Sequence, residues 1–298
     1  MHGWIILDKP VGLGSTQAVG AVKRMLREAG EPRTKVGHGG TLDPLASGVL
    51  PIAIGEATKV AGRMLDATKQ YAFRISFGAE TDTLDGEGQI VATSEYHPTA
   101  SEVEAILSRF TGAIAQVPPV YSALKIDGKA ANSRTRAGEL VEMTPRTVTV
   151  HELALLSANG AQADLLATVS KGTYIRSLAR DLALALGTVG HVTMLRRTRA
   201  GPFGLNRAVS LDFLEETANA RELTRVVMPL QAALDDIPAL PVTPDQAQLL
   251  RHGHRLAGFP ATPGLQLATA DGCPVALVEA TADGLAVVRG FNLWNEQE

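Results

Sequence analysis

One carboxylate stands in a segment that is otherwise mostly apolar and rich in glycine and proline. Asp43 lies within residues 36–51, VGHGGTLDPLASGVLP, and one histidine, His38, precedes it by five positions. Glycine permits backbone conformations with positive φ and close approach of another molecule, and proline then fixes the path of the chain. Many turns of this composition only reverse the chain. If this one has a chemical role, that role is the chemistry of a single acid beside an apolar wall.

Two other patterns suggest a cofactor or a metal, and both fail on detail. The GLG turn at residues 12–14 follows a predicted strand, but Gln17 stands where a dinucleotide site needs its third glycine, and no acid follows at the required spacing. The acidic loop 80–88 lacks calcium-site spacing, because Leu84 takes the third ligand position after Asp82. A polar hairpin connection is the better interpretation of that loop. We therefore expect no metal and no cofactor.

Positive charge is concentrated in one stretch, although the formal net charge of the chain is −3. Residues 165–210 contain seven Lys and Arg against one Asp, whereas residues 211–298 contain five Arg against twelve Asp and Glu. Phosphates respond to the local potential and not to the total charge. The basic stretch is therefore compatible with a polyanionic ligand as well as with an ordinary solvated surface.

The elements that must position Asp43 are a mixture of strands and helices. Hydrophobic periodicity predicts strands near residues 4–7, 71–77, 147–155 and 163–170. It also predicts helices that begin near Ser15 or Thr16, at a Ser101 capping box and at Ile175, and that end at Gly30, Gly112 and Gly187. Strands and helices do not alternate regularly, so the pattern favours an α+β fold with a mixed, largely antiparallel sheet flanked by helices.

A domain boundary is predicted where proline density rises, at residues 237–241. Beyond it, short β-like runs are separated by Asp-Gly turns at 271–272 and 283–284. We therefore predict a catalytic domain over residues 1–237 and a small β-rich domain over residues 238–298.

The composition is that of an ordinary globular protein, with 45% hydrophobic and 20% charged residues. Cys273 is the only cysteine, so neither an intramolecular disulfide nor a cysteine-based zinc site is possible. No apolar run reaches the ~18 residues of a membrane helix, and the N-terminus lacks the basic region of a signal peptide. We expect a cytoplasmic protein with no membrane partner.

Six ordered motifs resemble those of the TruB family, the bacterial tRNA pseudouridine-55 synthases. They are GWIILDKP at 3–10, the Asp43 segment, KQY at 69–71, YSALK at 121–125, SKGTYIRSL at 170–178 and HVTMLRR at 191–197. Six motifs in the same order are hard to obtain by chance. The resemblance implies a pseudouridine synthase fold for residues 3–210.

The implied reaction isomerises uridine 55 in the T loop of tRNA to pseudouridine. The uracil must leave its stack, its glycosidic bond must break, and the base must rejoin the sugar through C5 in a dry pocket. By resemblance, Asp43 is the nucleophile or transition-state stabiliser, and Arg176 pairs with it. Attack at C6, attack at C1′ and assistance to proton abstraction remain open, as does a catalytically silent RNA-folding chaperone on the same scaffold.

The resemblance also assigns the substrate contacts. Tyr71 is expected to stack on the flipped uracil, with Tyr174 and Leu195 lining the same pocket, and His38 to fill the gap left in the RNA. Basic side chains are expected to contact phosphates; they are Lys9, Lys69, Lys171, Arg196 and Arg197. The expected partner is the T-arm stem-loop of tRNA, bound by a monomer without an obligate protein partner.

Two regions depart from the family pattern. Residues 128–136, GKAANSRTR, lack the aromatic residue usual there, so no site residue is assigned to the arm around residues 125–140. The acidic C-terminal part is only loosely similar to the RNA-binding (PUA-like) domain of the family.

Overall fold

A large mixed sheet forms the framework of the N-terminal part of the chain. The structure, a computed structural model, describes residues 1–126 and 128–293. The strands up to residue 204 are β1 (Gly3–Lys9), β2 (Val36–His38), β3 (Ser47–Ile54), β4 (Lys69–Phe77), β5 (Ala79–Thr81), β6 (Ile90–Thr93), β7 (Gly112–Gln116), β8 (Lys125–Ile126), β9 (Lys129–Ala130), β10 (Arg146–Ala158), β11 (Gln162–Val169), β12 (Gly190–Ala200) and β13 (Phe203–Gly204).

Helices pack around this sheet and link its strands. They are α1 (Ser15–Glu28), α2 (Ala61–Asp66), α3 (Ala100–Ile106), α4 (Ala131–Arg136), α5 (Ile175–Ala185), α6 (Leu211–Asn219) and α7 (Pro244–Arg251). Short 3-10 helices occur at Gly55–Lys59, Leu107–Phe110, Leu205–Arg207, Leu223–Arg225 and Leu230–Ala233. None of the helices in the described ranges has the length and hydropathy of a membrane span.

The order of the strands explains where the loop that contains Asp43 leaves the sheet. The main sheet runs β1-β3-β12-β4-β11-β10-β7, with β2 also on β3 and β13 on β12. Its neighbours are antiparallel except for β3 and β12, which pair in parallel at only two positions. On that side, β3 meets β12 at Ser47 and Gly48 but meets β2 at Ile52 to Ile54. The loop that contains Asp43 therefore leaves the sheet where the two partners of β3 separate.

Burial on both faces of β1 accounts for its continuous apolar run. Successive side chains of a strand point to opposite faces. Accordingly, Ile5 and Leu7 join the main core with α1 and α5, whereas Trp4 and Ile6 join a second core behind the sheet. The Trp4 indole donates a hydrogen bond to the carbonyl of Leu230 at 3.1 Å, so this buried polar group is satisfied.

The C-terminal region adds a five-stranded sheet with a core of its own. Its order is β14-β16-β17-β18-β15, formed by β14 (Ala239–Pro241), β15 (Leu256–Ala257), β16 (Gly264–Ala270), β17 (Cys273–Thr281) and β18 (Gly284–Gly290). Leu267, Leu277 and Phe291 also pack into the second core, beside Trp4. The α+β class with a β-rich C-terminal part is confirmed. The boundary at residue 237 stays a prediction, and residues 294–298 of the predicted second domain lie outside the described residues.

The predicted elements are present, but two helix starts differ in detail. Gly14 and not Ser15 is the N-cap of α1, because the Gln17 side chain accepts the Gly14 N–H at 2.8 Å. The capping box of α3 is formed by Thr99 and Glu102, two residues earlier than the predicted Ser101. In both cases two or more residues that can cap a helix lie close together, and the sequence does not show which one faces the helix end.

Candidate active site

Asp43 begins a tight turn whose shape follows from its local sequence. The Asp43 carbonyl accepts the Ala46 N–H at 3.0 Å, so residues 43–46 form a β-turn with Pro44 in the second position, where its fixed φ is favourable. Glycine is required at the end of the loop: a Cβ at Gly48, with φ of 103°, would lie 2.2 Å from the Arg197 carbonyl oxygen. The turn therefore holds the carboxylate clear of the sheet.

The Arg176 guanidinium joins two carboxylates that are far apart in the chain. Its Nη2 lies 2.9 Å from Asp43 Oδ2, and its Nη1 lies 3.0 Å from Asp85 Oδ2. The same two nitrogens donate to the carbonyls of Thr83 and Tyr121, each at 2.9 Å. Four oxygens on three loops thus fix the orientation of Arg176, as its planar fork of donors allows.

The two acidic side chains that Arg176 contacts differ in solvent exposure. The Asp43 side chain is 36% exposed, whereas those of Arg176 and Asp85 are 6% and 3% exposed. The second carboxylate oxygen of Asp85 accepts the Thr83 hydroxyl and the Glu87 N–H, so Asp85 is satisfied within the protein. Asp85 therefore anchors the arginine, and Asp43 remains the acid that another molecule can reach.

An open cavity of about 410 Å³ has Asp43 and Arg176 in its wall. Tyr71 from β4, Tyr174 from the start of α5 and Leu195 from β12 line the same cavity. The structure thus brings together five residues that the sequence placed in one site. His38 is not among the lining residues; it is half-buried at the end of β2 and accepts the Gly40 N–H through Nδ1 at 3.4 Å.

Tyr174 is held from both its backbone and its ring. The Gln116 side chain accepts the Tyr174 N–H at 2.8 Å and donates to the Tyr174 carbonyl at 3.1 Å. The Arg146 guanidinium carbon lies 5.0 Å from the centre of the Tyr174 ring, within the range of a cation–π contact. Arg146 also donates to the Gly172 carbonyl. These contacts leave the ring little freedom at the cavity wall.

Lys9 and Arg197, expected to meet phosphates, instead hold the protein backbone. The Lys9 amine donates to the carbonyls of Pro10 and Leu13 and, at 3.4 Å, of Pro44. The Arg197 guanidinium donates to the carbonyls of Val49, Thr41 and Gly40. Lys9 is 0% and Arg197 1% exposed, so their burial argues against the expected phosphate contacts, which stay a prediction. A basic residue in a sequence shows its charge but not which groups satisfy it.

Ser15 is a further anchor of the loop that the sequence did not reveal. Its hydroxyl donates to the Leu42 carbonyl and accepts the Leu42 N–H, both at 2.8 Å. Together with Lys9 at Pro44 and Arg197 at Thr41, it secures the backbone on either side of Asp43. This hydrogen bonding replaces the helix-capping role predicted for Ser15.

Burial among other cations shifts several pKa values near Asp43. Burial lowers the pKa of Lys9 from 10.5 to about 8, partly offset by Asp43. Burial, with Arg197, also lowers the pKa of Lys69 to about 8. The same two causes lower the pKa of His38 below its usual value, which favours a neutral ring.

The other predicted phosphate contacts differ in accessibility. Lys69 lines the cavity but is 6% exposed, and its amine donates to the Leu65 carbonyl at 2.6 Å. Lys171 is exposed at the cavity and pairs with Asp66 at 2.8 Å. Arg196 is partly exposed, pairs with Asp8 at 2.7 Å and donates to Ser47. Contacts from these three residues to RNA stay predictions.

Asp85 is the site residue that the sequence interpretation missed. It lies between β5 and β6 in the loop correctly predicted to be a polar hairpin connection. A signal was present, because the T-D-T-x-D pattern at residues 81–85 also matches the family. Within the described part of the chain, no group of three or more His, Cys, Asp and Glu is placed to hold a metal ion.

The site presents one oriented carboxylate beside two aromatic rings and an aliphatic wall. The fold identifies the class of protein to which the chain belongs. The chain superposes on a solved structure described as an H/ACA ribonucleoprotein bound to a substrate RNA containing 2′-deoxyuridine. The TM-score is 0.72 at 25% identity, over 97% of this chain and 85% of that one. This is the fold class of the pseudouridine synthases.

Sequence comparison narrows the class to a family. The model of the TruB family pseudouridylate synthase N-terminal domain matches residues 23–175, and that of the tRNA pseudouridylate synthase B C-terminal domain matches residues 176–235. Proteins named tRNA pseudouridine synthase B are 59% identical in Zymomonas mobilis and 58% identical in Novosphingobium aromaticivorans. These alignments cover 98% and 100% of this chain, and 96% and 100% of the relatives. The chain belongs to the TruB family of pseudouridine synthases.

Proposed function

We propose that this protein isomerises uridine 55 in the T loop of tRNA to pseudouridine. The observation that carries the proposal is the Asp43–Arg176–Asp85 arrangement, which presents one accessible, oriented carboxylate to a cavity lined by Tyr71 and Tyr174. The names of the relatives supply the substrate, since they are tRNA pseudouridine synthases matched over nearly the whole chain.

Each cavity residue has a role in this reaction. Flipping the uridine out of its stack costs a few kcal/mol of free energy, and stacking on Tyr71 offsets this by about 1–3 kcal/mol. Leu195 is buried beside the cavity and excludes water from the base. Asp43, oriented by Arg176, acts at the base or the sugar while the glycosidic bond breaks and the base rejoins through C5. Attack at C6, attack at C1′ and assistance to proton abstraction all require this carboxylate.

We also propose the compartment, the oligomeric state and the partner of the protein. The protein acts in the cytoplasm as a monomer, on the T-arm of tRNA and without an obligate protein partner. His38 fills the gap in the RNA left by the flipped base. Its neutral ring suits insertion between bases better than an imidazolium would, because no charge has to be desolvated.

Release of tritium from C5 of uracil in a labelled tRNA transcript tests the proposal. The wild-type protein should release one label per transcript. Asp43→Asn, which keeps the size of the side chain, should lower the rate more than about 1,000-fold and leave tRNA affinity within about tenfold. Asp245→Asn, at an exposed position in α7, is the matched control and should match the wild type.

Two outcomes would contradict the proposal. Substantial turnover by Asp43→Asn would remove this residue as the catalytic group. Binding and folding of tRNA by the wild type without any release of label would favour the silent chaperone instead.

A further inference from the structure

A basic groove lies outside the cavity, between the second half of α1 and the segment that leads into β2. We call it the α1 groove; it encloses about 740 Å³ and is lined by Lys23, Leu26, Arg27, Glu31, Pro32, Arg33, Thr34, Lys35 and Val36. Its floor is apolar, since Leu26 and Val36 are buried in the main core. Its rim is charged.

The cations of the rim are exposed and lack acidic partners. Lys23, Arg27, Arg33 and Lys35 are all exposed, and no Asp or Glu of residues 1–126 and 128–293 pairs with any of them. The one acid of the groove, Glu31, is engaged by the amino group of Met1 at 3.5 Å. Four cations therefore create a positive potential that the fold does not neutralise.

Helix stability does not account for this arrangement. Lys23 and Arg27 are four residues apart on α1, so they lie on one face, and like charges at that spacing destabilise a helix. By contrast, Arg24 lies 4.0 Å from Glu28 at the same spacing and has a counter-charge. A bound polyanion would supply the missing counter-charges along the groove.

The groove leads towards the active site. Lys35 directly precedes β2, and His38 ends that strand three residues later. At about 3.3 Å per residue, the two positions are roughly 10 Å apart. The loop that follows His38 carries Asp43. The groove and the loop that carries Asp43 are therefore joined by a single three-residue strand, β2.

We propose that the α1 groove binds the phosphate backbone of the tRNA outside the uridine cavity. The inference rests on the proposed function for the identity of the RNA. Exposed Lys and Arg bind phosphates without reading sequence, so the groove adds affinity and orientation and leaves the choice of uridine to the cavity.

The salt dependence of tRNA binding tests the inference. The triple variant Arg27→Gln, Arg33→Gln, Lys35→Gln should weaken binding of an unmodified tRNA transcript at least about tenfold at low salt. It should also reduce the slope of log Kd against log salt by about 2 to 3, since each lost phosphate contact removes about one unit. An unchanged melting midpoint is expected, because all three side chains are exposed.

A second triple variant controls for total charge. Arg109→Gln, Arg221→Gln, Arg289→Gln removes three exposed cations from other elements and should keep the wild-type slope. Equal slopes for the groove variant and the wild type would overturn the inference, as would equal losses in both triple variants. Loss of binding to phosphatidylserine vesicles with unchanged tRNA affinity would assign the groove to a membrane surface and overturn it too. Failure of the wild type to release tritium would instead count against the proposed function.

Discussion

Lys and Arg side chains occur in two sets, one behind the loop that carries Asp43 and one in the α1 groove, and the two sets have different roles. Lys9 and Arg197 are fully buried and donate hydrogen bonds to backbone carbonyls beside Asp43. Lys23, Arg27 and Lys35 are exposed and have no acidic partner among the described residues. The buried set builds the site, and the exposed set remains available to a ligand.

The difference shows why a count of basic residues is a poor guide to RNA contacts. The strongly basic stretch 165–210 includes Arg176 and Arg197, which are buried and satisfied within the protein. The N-terminal groove has a weaker sequence signal, because Glu28 and Glu31 lie among its cations. Burial, and not the local excess of charge, decides which cations can meet phosphates.

Changing the buried arginine between the two acids should have the largest effect. Arg176→Lys keeps the charge but cannot reach four acceptors, so it leaves the buried Asp85 poorly paired. We expect a loss of about 3 kcal/mol in the free energy of unfolding and at least about a 100-fold drop in turnover. Urea unfolding and tritium release measure the two effects. A variant with wild-type turnover would show that Asp43 needs no guanidinium to orient it.

Arg197 should give the next largest effect. Arg197→Lys removes donors from the buried carbonyls of Gly40, Thr41 and Val49, at a cost of about 2–3 kcal/mol in the free energy of unfolding. Because these carbonyls flank Asp43, turnover should fall about tenfold or more while the salt slope of tRNA binding stays unchanged.

Arg199→Lys provides the matched control for Arg197 on the same strand. Arg199 is exposed, so the change should alter stability by less than about 0.5 kcal/mol. A reduced salt slope in Arg197→Lys would restore the original expectation that this arginine contacts phosphate.

The smallest effect expected is a pH dependence of stability from Lys69. Its pKa is about 8 in the folded protein and 10.5 in the reference state, so the unfolded chain binds more protons between these values and stability rises with pH there. Between pH 7.5 and 9.5, the wild type should gain roughly 1–2 kcal/mol relative to Lys69→Met. Urea unfolding at both pH values measures this gain. A constant difference would show that Lys69 keeps its ordinary pKa.

Much of the site could be predicted from local sequence. Asp43, Arg176, Tyr71, Tyr174 and Leu195 lie in motifs that resemble a known family, and all five line one cavity. The periodicity of the strands and the glycine-terminated helices likewise predicted the α+β class. These features depend on residues close together in the chain, where spacing and turn chemistry act directly.

Asp85, Ser15 and the buried state of Lys9 and Arg197 could not be predicted in this way. Ser15 was a plausible helix cap until tertiary structure placed Leu42 beside its hydroxyl. Asp85 was a plausible loop acid until the fold brought it to Arg176, 91 residues away.

The chain's own order of residues thus specified the Asp43 carboxylate, its turn and the elements around it. The split of the sheet at β3 decided what secures the loop of that carboxylate, because the Arg197 guanidinium, buried at this point, donates both to Val49 of β3 and to Gly40 and Thr41 of the loop. Hydrogen-bond partners and burial of polar groups depend on contacts between distant segments, and a linear pattern contains no information on their distances.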